Sequence, residues 1–132
     1  MRARTVCGTP PAGDQWTVSI EDPFDPEREL VRIGIADGAV ATSSRVRRTW
    51  QRAGERLHHV IDPRTGRPAS SRWAAVTTVA RSAWWAEVTA TSALLADDPR
   101  RAPGVTSVLA VDENGDVCGT PDLEEVVTCS AA

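Results

Sequence analysis

The sequence predicts an α+β fold, a mainly antiparallel sheet packed with two or three helices, and three observations support this. Short runs in which apolar and polar residues alternate recur along the chain, as in Trp16-Thr17-Val18-Ser19-Ile20. Turn-forming pairs, Asp37-Gly38 and Asn114-Gly115, join neighbouring runs at hairpin spacing. Helical periodicity is concentrated in one long stretch, so the regular strand–helix alternation of a parallel sheet is missing.

Taken in order, the segment 1–13 contains Gly8, Pro10, Pro11 and Gly13 and reads as a loop. Trp16 to Ile20 is a strand, interrupted by the turn Asp22-Pro23-Phe24-Asp25-Pro26. Leu30 to Ile35 and Ala39 to Thr42 continue as strands across Asp37-Gly38, giving three antiparallel strands. Ser43 and Ser44 then cap a short helix through Trp50 and Gln51, closed by Gly54. Leu57 to Ile61 returns to strand before a loop constrained by Pro63, Gly66 and Pro68. Ala74 to Ala80 is strand-like, and Ala83 to Leu95 is the longest helix, with Trp84, Val88, Thr91 and Leu95 on one face. Asp97-Asp98-Pro99 ends that helix, Thr106 to Val111 is a strand turning at Asn114-Gly115 toward Val117-Cys118, and Asp122 to Val127 is a last short helix.

At 132 residues the chain is expected to form a single domain over 1–132. Its 41% apolar and 25% charged residues are the balance of a globular protein. A formal charge of −3 gives no electrostatic drive toward nucleic acid. Cys7, Cys118 and Cys129 lack the spacing of a zinc or redox motif. No stretch reaches the length of a membrane span or resembles a signal peptide, so a cytoplasmic setting is the expectation.

Two segments carry chemistry. In His58-His59-Val60-Ile61-Asp62-Pro63-Arg64-Thr65-Gly66, a strand runs into a constrained loop, and alternation sends His59 and Ile61 to one face and His58, Val60 and Asp62 to the other. Alone, this pattern also describes a structural histidine followed by an Asx turn. In Ala86-Glu87-Val88-Thr89-Ala90-Thr91, Glu87 and Thr91 stand one helical turn apart and offer the hard oxygens that suit Mg²⁺, although such a pair alone is more often a solvated face. The cluster Arg45, Arg47, Arg48, Arg52 and Arg56 reads as a solvated helix face, with phosphate attraction as the functional alternative. Of the adjacent Trp84 and Trp85, Trp84 is assigned to the core and Trp85 to the surface.

In this order, Trp16 with Ile20-Glu21-Asp22-Pro23, the run Gly38-Ala39-Val40-Ala41-Thr42-Ser43, His59 to Gly66, and Ala86 to Thr91 resemble the ApbE family of FAD:protein FMN transferases. The resemblance runs from about Gly8 to Leu123 and is to the C-terminal half of the family. It implies Mg²⁺-dependent transfer of FMN from FAD to a Thr or Ser hydroxyl of a target flavoprotein, with release of AMP. It also implies metal ligation by Thr91 and by Glu87, which stands where the family generally has aspartate. His59 and Asp62 would take the catalytic places, and Thr42, Ser43, His59, Thr65 and Gly66 would contact the flavin nucleotide. Ser44 replaces the family's usual glycine. The family's N-terminal region, with its glycine-rich segment, has no counterpart here, which leaves three readings: a truncated piece of an enzyme, a short protein whose flavin wall comes from a homo-oligomer or complementing chain, or a remnant that no longer catalyses. A flavin-binding or protein-interaction module without catalysis is the alternative from another class, and family members are often exported.

Overall fold

The computed structural model describes residues 2–6, 10 and 13–123, with residues 2–6 described through their backbone alone. Its strands are β1 (Arg2–Val6), β2 (Trp16–Glu21), β3 (Glu29–Ile35), β4 (Gly38–Ser44), β5 (Thr49–Arg52), β6 (Glu55–His58), β7 (Ile61–Asp62), β8 (Arg67–Pro68), β9 (Trp73–Ala80), β10 (Ser107–Asp112) and β11 (Val117–Gly119). The helix α1 (Ala83–Leu95) connects β9 to β10, followed by a 3-10 turn at Pro99–Arg101. Five strands form one antiparallel sheet in the order β1-β4-β9-β10-β11. The fold is α+β, as the alternating pattern predicts.

Alternation along the inner strands gives the sheet two apolar faces, because neighbouring side chains point to opposite sides. From β4, Ala39 and Ala41 meet Ala86 and Ala90 of α1, and all four are fully buried. Farther along the same face, Val76 of β9 and Val108 and Ala110 of β10 pack on Ala93 and Leu94 of the helix, with Trp73 in the same cluster. On the opposite face, Val40 and Leu109 pack against Val18, Ile20, Val31, Ile33 and Ile35 of the separate β2–β3 hairpin. The result is three layers: helix, sheet and hairpin.

Several elements differ from the expectation. Residues 2–6 lie in what was read as a loop but form β1, paired with β4 in a ladder from Arg2 opposite Thr42 to Val6 opposite Gly38. That pairing comes from a partner distant in sequence, which local turn chemistry does not reveal. Asp37-Gly38 is not a hairpin turn: β3 pairs with β2, and β4 pairs with β1 and β9 in the other layer. Gly38 is needed there because its φ is +127° and a Cβ would sit 2.7 Å from the Ala80 carbonyl oxygen.

The helix expected after Ser44 is instead the β5–β6 hairpin, turned by Ala53 and Gly54 with φ of 50° and 80°. Two consecutive left-handed residues are the signature of the tight turn that matches strand twist. Ala53 gives little sequence signal for that conformation, whereas the surrounding Arg and Gln residues favour helix. The strand expected over Leu57 to Ile61 breaks after His58, and Ile61–Asp62 pairs with Arg67–Pro68 around the loop. The helix expected over Asp122 to Val127 falls largely outside the described residues, of which 121–123 are helical.

The bounds of α1 match the expectation, but its buried face does not. Ala86, Thr89, Ala90, Ala93 and Leu94 face the sheet, whereas Trp84 is 64% exposed and Val88 51% exposed. The alanines of β4 and α1 let the helix approach closely, and a tryptophan could not enter that contact. Thr89 and Thr78 are buried there with their needs met, since the Thr78 hydroxyl donates to the Ala86 carbonyl at 2.8 Å and the Thr89 hydroxyl to that of Trp85 at 2.7 Å.

This packing predicts that Ala86→Leu overpacks the helix–sheet contact and lowers stability by about 1–3 kcal/mol. Trp84→Ser should change it by no more than about 0.5 kcal/mol. Denaturant unfolding of the two variants checks the assignment, and a reversed order of effects would contradict it.

Candidate functional site

A cavity of about 320 Å³ opens between the β2–β3 hairpin and the face of the sheet that carries Thr42 and Ser44. Val18, Ile20, Val40 and Ala75 provide its apolar surface, while Thr42, Ser44, Arg47, Arg48 and His59 are among its polar lining. Apolar walls with a few converging polar groups are the usual composition of a small-molecule site. Thr42 is held by a 2.8 Å hydroxyl contact to Thr77, its cross-strand neighbour on β9. His59 follows β6, and its Nδ1 lies 3.5 Å from the Arg48 carbonyl oxygen. A carbonyl only accepts, so in the tautomer that makes this contact Nδ1 donates and Nε2 carries the lone pair.

Ser43, the neighbour of Thr42, points through the opposite face of the sheet. It is 2% exposed, and its hydroxyl lies 2.8 Å from that of Thr91 on α1. Glu87 stands one turn before Thr91 and is half-buried. Its carboxylate has no hydrogen bond or ion pair among the described residues. One unpaired carboxylate with two hydroxyls is a hard-oxygen donor set that fits Mg²⁺, which commonly takes one or two carboxylates and completes its shell with water and phosphate oxygens. Among the described residues no group of three or more His, Cys, Asp or Glu is placed to hold a metal, so substrate oxygens would have to contribute.

Asp62, Thr65 and Gly66 do not line this cavity. Asp62 borders a separate depression with Pro63, Arg64 and the Leu95–Asp97 end of the helix. Its carboxylate accepts the Arg64 backbone N–H at 2.9 Å and pairs with the Arg64 guanidinium at 3.1 Å. The Arg64 side-chain hydrogen bonds, then its backbone N–H, hold the Asp62 carboxyl below its ordinary range. The Gly66 N–H donates to the Asp62 carbonyl at 2.8 Å, the Thr65 N–H does so at 3.2 Å, and Gly66 has φ +66°. The segment is therefore a closed turn organised by Asp62, with Thr65 and Gly66 exposed.

The structure thus brings Thr42 and His59 together at the cavity, and Ser43 and Thr91 together at the helix, with Glu87 one turn before Thr91. Sequence reading assigned Arg47 and Arg48 to a solvated helix face, but both line the cavity, from the bend between β4 and β5. Ser44, expected at a helix cap and at the family's glycine position, lines the cavity as well, and Ser19 and Glu21 of β2 also border it. Period-two alternation from Thr42 to Ser44 was the signal that could have found Ser44. The arginines carried no such signal, because their position depends on the missed β5–β6 hairpin.

His58 is buried behind His59. Its Nε2 donates to the Ala69 carbonyl at 3.1 Å, and its Nδ1 has no partner among the described residues. Burial pushes its pKa down; the Ala69 hydrogen bond opposes this, and the charges of Arg45 and His59 reinforce it.

The three-layer fold has counterparts among known proteins. A sequence model of the ApbE family matches residues 3–107. The FAD:protein FMN transferase of Vibrio cholerae is 35% identical over 91 residues, covering 67% of this chain and 27% of that protein. The Escherichia coli K12 enzyme of the same name is 33% identical over 110 residues, covering 79% and 31%. Among solved structures, the ApbE protein of Thermotoga maritima superposes with a TM-score of 0.75 at 27% identity, covering 86% of this chain and 38% of that one. The flavin transferase ApbE of V. cholerae gives 0.59 at 28% identity, covering 84% and 37%. The chain belongs to the ApbE family. It spans less than a third of the length of the curated relatives it matches.

The His58 environment predicts a pH dependence of stability. Its folded pKa lies below the unfolded value of about 6.5, so its contribution is complete above that pH and is lost as the pH falls through the folded value. Thermal midpoints measured from about pH 7.5 to 5.5 should fall more steeply for the native chain than for His58→Gln. Equal slopes would remove His58 from the account.

Proposed function

We propose that this chain supplies part of the active site of a FAD:protein FMN transferase, moving FMN from FAD to a Thr or Ser hydroxyl of a target flavoprotein with release of AMP. The observation that carries the reading is the cavity in which Thr42 and His59 converge, on a chain of the ApbE family. In the transfer, the acceptor hydroxyl oxygen bonds to the FMN phosphorus, and the bond to the AMP oxygen breaks.

His59 accepts the hydroxyl proton at Nε2, because Nδ1 is directed at the Arg48 carbonyl. Thr42 and the apolar lining hold the flavin nucleotide in place. On the other face of β4, Glu87, Thr91 and Ser43 would hold Mg²⁺. Bound there, the ion would supply positive charge to phosphate oxygens that reach the helix side of the strand. Asp62 orders the Pro63–Gly66 turn, and Thr65 and Gly66 serve through that turn's backbone. A homo-oligomer or complementing chain completing the flavin wall belongs to the same proposal.

A second reading, flavin binding without transfer, is favoured by the engagement of Asp62 with Arg64 away from the cavity. Incubation of the protein with FAD, Mg²⁺ and an acceptor flavoprotein separates the two. The transferase reading predicts FMN-labelled acceptor and free AMP, and it predicts that His59→Ala and Thr91→Ala each lower the rate by about a hundredfold or more. FAD retention without either product would leave only the binding reading.

A further inference from the structure

Four ionisable side chains border the cavity: Glu21, Arg47, Arg48 and His59. Arg47 is already committed. Its Nη2 lies 3.1 Å from the Glu21 carboxylate and 3.0 Å from the Asp22 carbonyl, which ties the end of β2 to the bend after β4 and balances the Glu21 charge. The Arg48 guanidinium has no hydrogen bond or ion pair among the described residues. One uncompensated cation therefore borders the cavity of a protein whose net charge is −3.

Ser44 lies on the same face of β4 as Thr42 and is only 8% exposed. Its Oγ accepts the Val46 N–H at 3.3 Å, and no acceptor among the described residues takes its own proton. A buried hydroxyl with an undirected proton and an unpaired guanidinium thus border one cavity. Arg48 only donates and Ser44, already accepting from Val46, has its proton left to donate, so the pair is suited to an oxyanion rather than a cation.

We propose that Arg48 and Ser44 form the oxyanion-binding subsite of the cavity and receive a phosphate of the flavin nucleotide, while Arg47 acts as a strut. The apolar lining of Val18, Ile20, Val40 and Ala75 gives the attached ring system a surface beside that phosphate. The ligand's identity rests on the transferase reading; the anion chemistry does not. Arg48 also links the phosphate to the base, because the residue that contacts the anion through its side chain orients His59 through its carbonyl.

Calorimetric titration of the protein with riboflavin, FMN and inorganic pyrophosphate tests this, comparing native protein with Arg48→Gln, Ser44→Ala and Arg56→Gln. Arg48→Gln should weaken FMN and pyrophosphate by roughly ten- to a hundredfold, and Ser44→Ala by about fivefold. Riboflavin affinity should be unchanged in both, and Arg56→Gln, on the outer hairpin, should match native protein. Added salt should narrow the gap between native protein and Arg48→Gln. Equal loss of riboflavin and FMN affinity, or FMN affinity unaffected by Arg48→Gln, would overturn the proposal. If no flavin binds, the flavin reading fails, and pyrophosphate still decides the subsite: Arg48-dependent binding upholds it, and no binding overturns it.

Discussion

The strand β4 is covered on both faces, and the organisation of the site follows from that constraint. Each residue from Gly38 to Ser44 has to suit either the close alanine contact with α1 or the hairpin layer, according to its place in the alternation. Ala39, Ala41 and Ser43 serve the helix side, and Val40, Thr42 and Ser44 serve the cavity side. A one-residue slip against β9 would exchange the two sets, taking Thr42 and Ser44 from the cavity and Ser43 from Thr91. The register that pairs Thr42 with Thr77 and Ser43 with Val76 therefore fixes which polar groups face the cavity and which face the helix.

From this strand the polar groups spread outward through short connections. The bend after Ser44 turns the two arginines toward the cavity, and the β5–β6 hairpin returns the chain so that His59 comes back beside Arg48. On the helix side, the close approach permitted by Ala86 and Ala90 brings Thr91 within hydrogen-bonding distance of Ser43. A bulkier contact would widen that separation, so small residues in the core set the geometry of the oxygen donors.

Much of this arrangement was legible in the sequence, unevenly. The bounds of α1 were readable because Asp97-Asp98-Pro99 ends the helix chemically, and β9 because Ala74 to Ala80 is apolar and β-branched. Alternation separated His59 from His58 without saying which of them faces inward; the structure puts His59 at the cavity and buries His58. The buried face of α1 was misread because bulk was taken as the sign of burial, although a helix laid closely on a sheet buries alanine and leaves Trp84 outside. The β5–β6 hairpin was missed because Ala53 adopts a left-handed conformation that its residue type rarely signals. With it went the placement of Arg47 and Arg48. Family resemblance named Thr42 and Ser43 together, and only the pleat shows that they point to opposite faces.

The central claim is that one strand divides the site into a nucleotide face and a cation face. Backbone amide NMR of the labelled protein, titrated first with FMN and then with Mn²⁺ in place of Mg²⁺, tests it most directly. The account predicts that FMN shifts the resonances of Thr42, Ser44 and His59, and that Mn²⁺ broadens those of Ser43, Glu87 and Thr91. Flavin shifts confined to the Pro63–Gly66 turn, or broadening that spares α1, would contradict it.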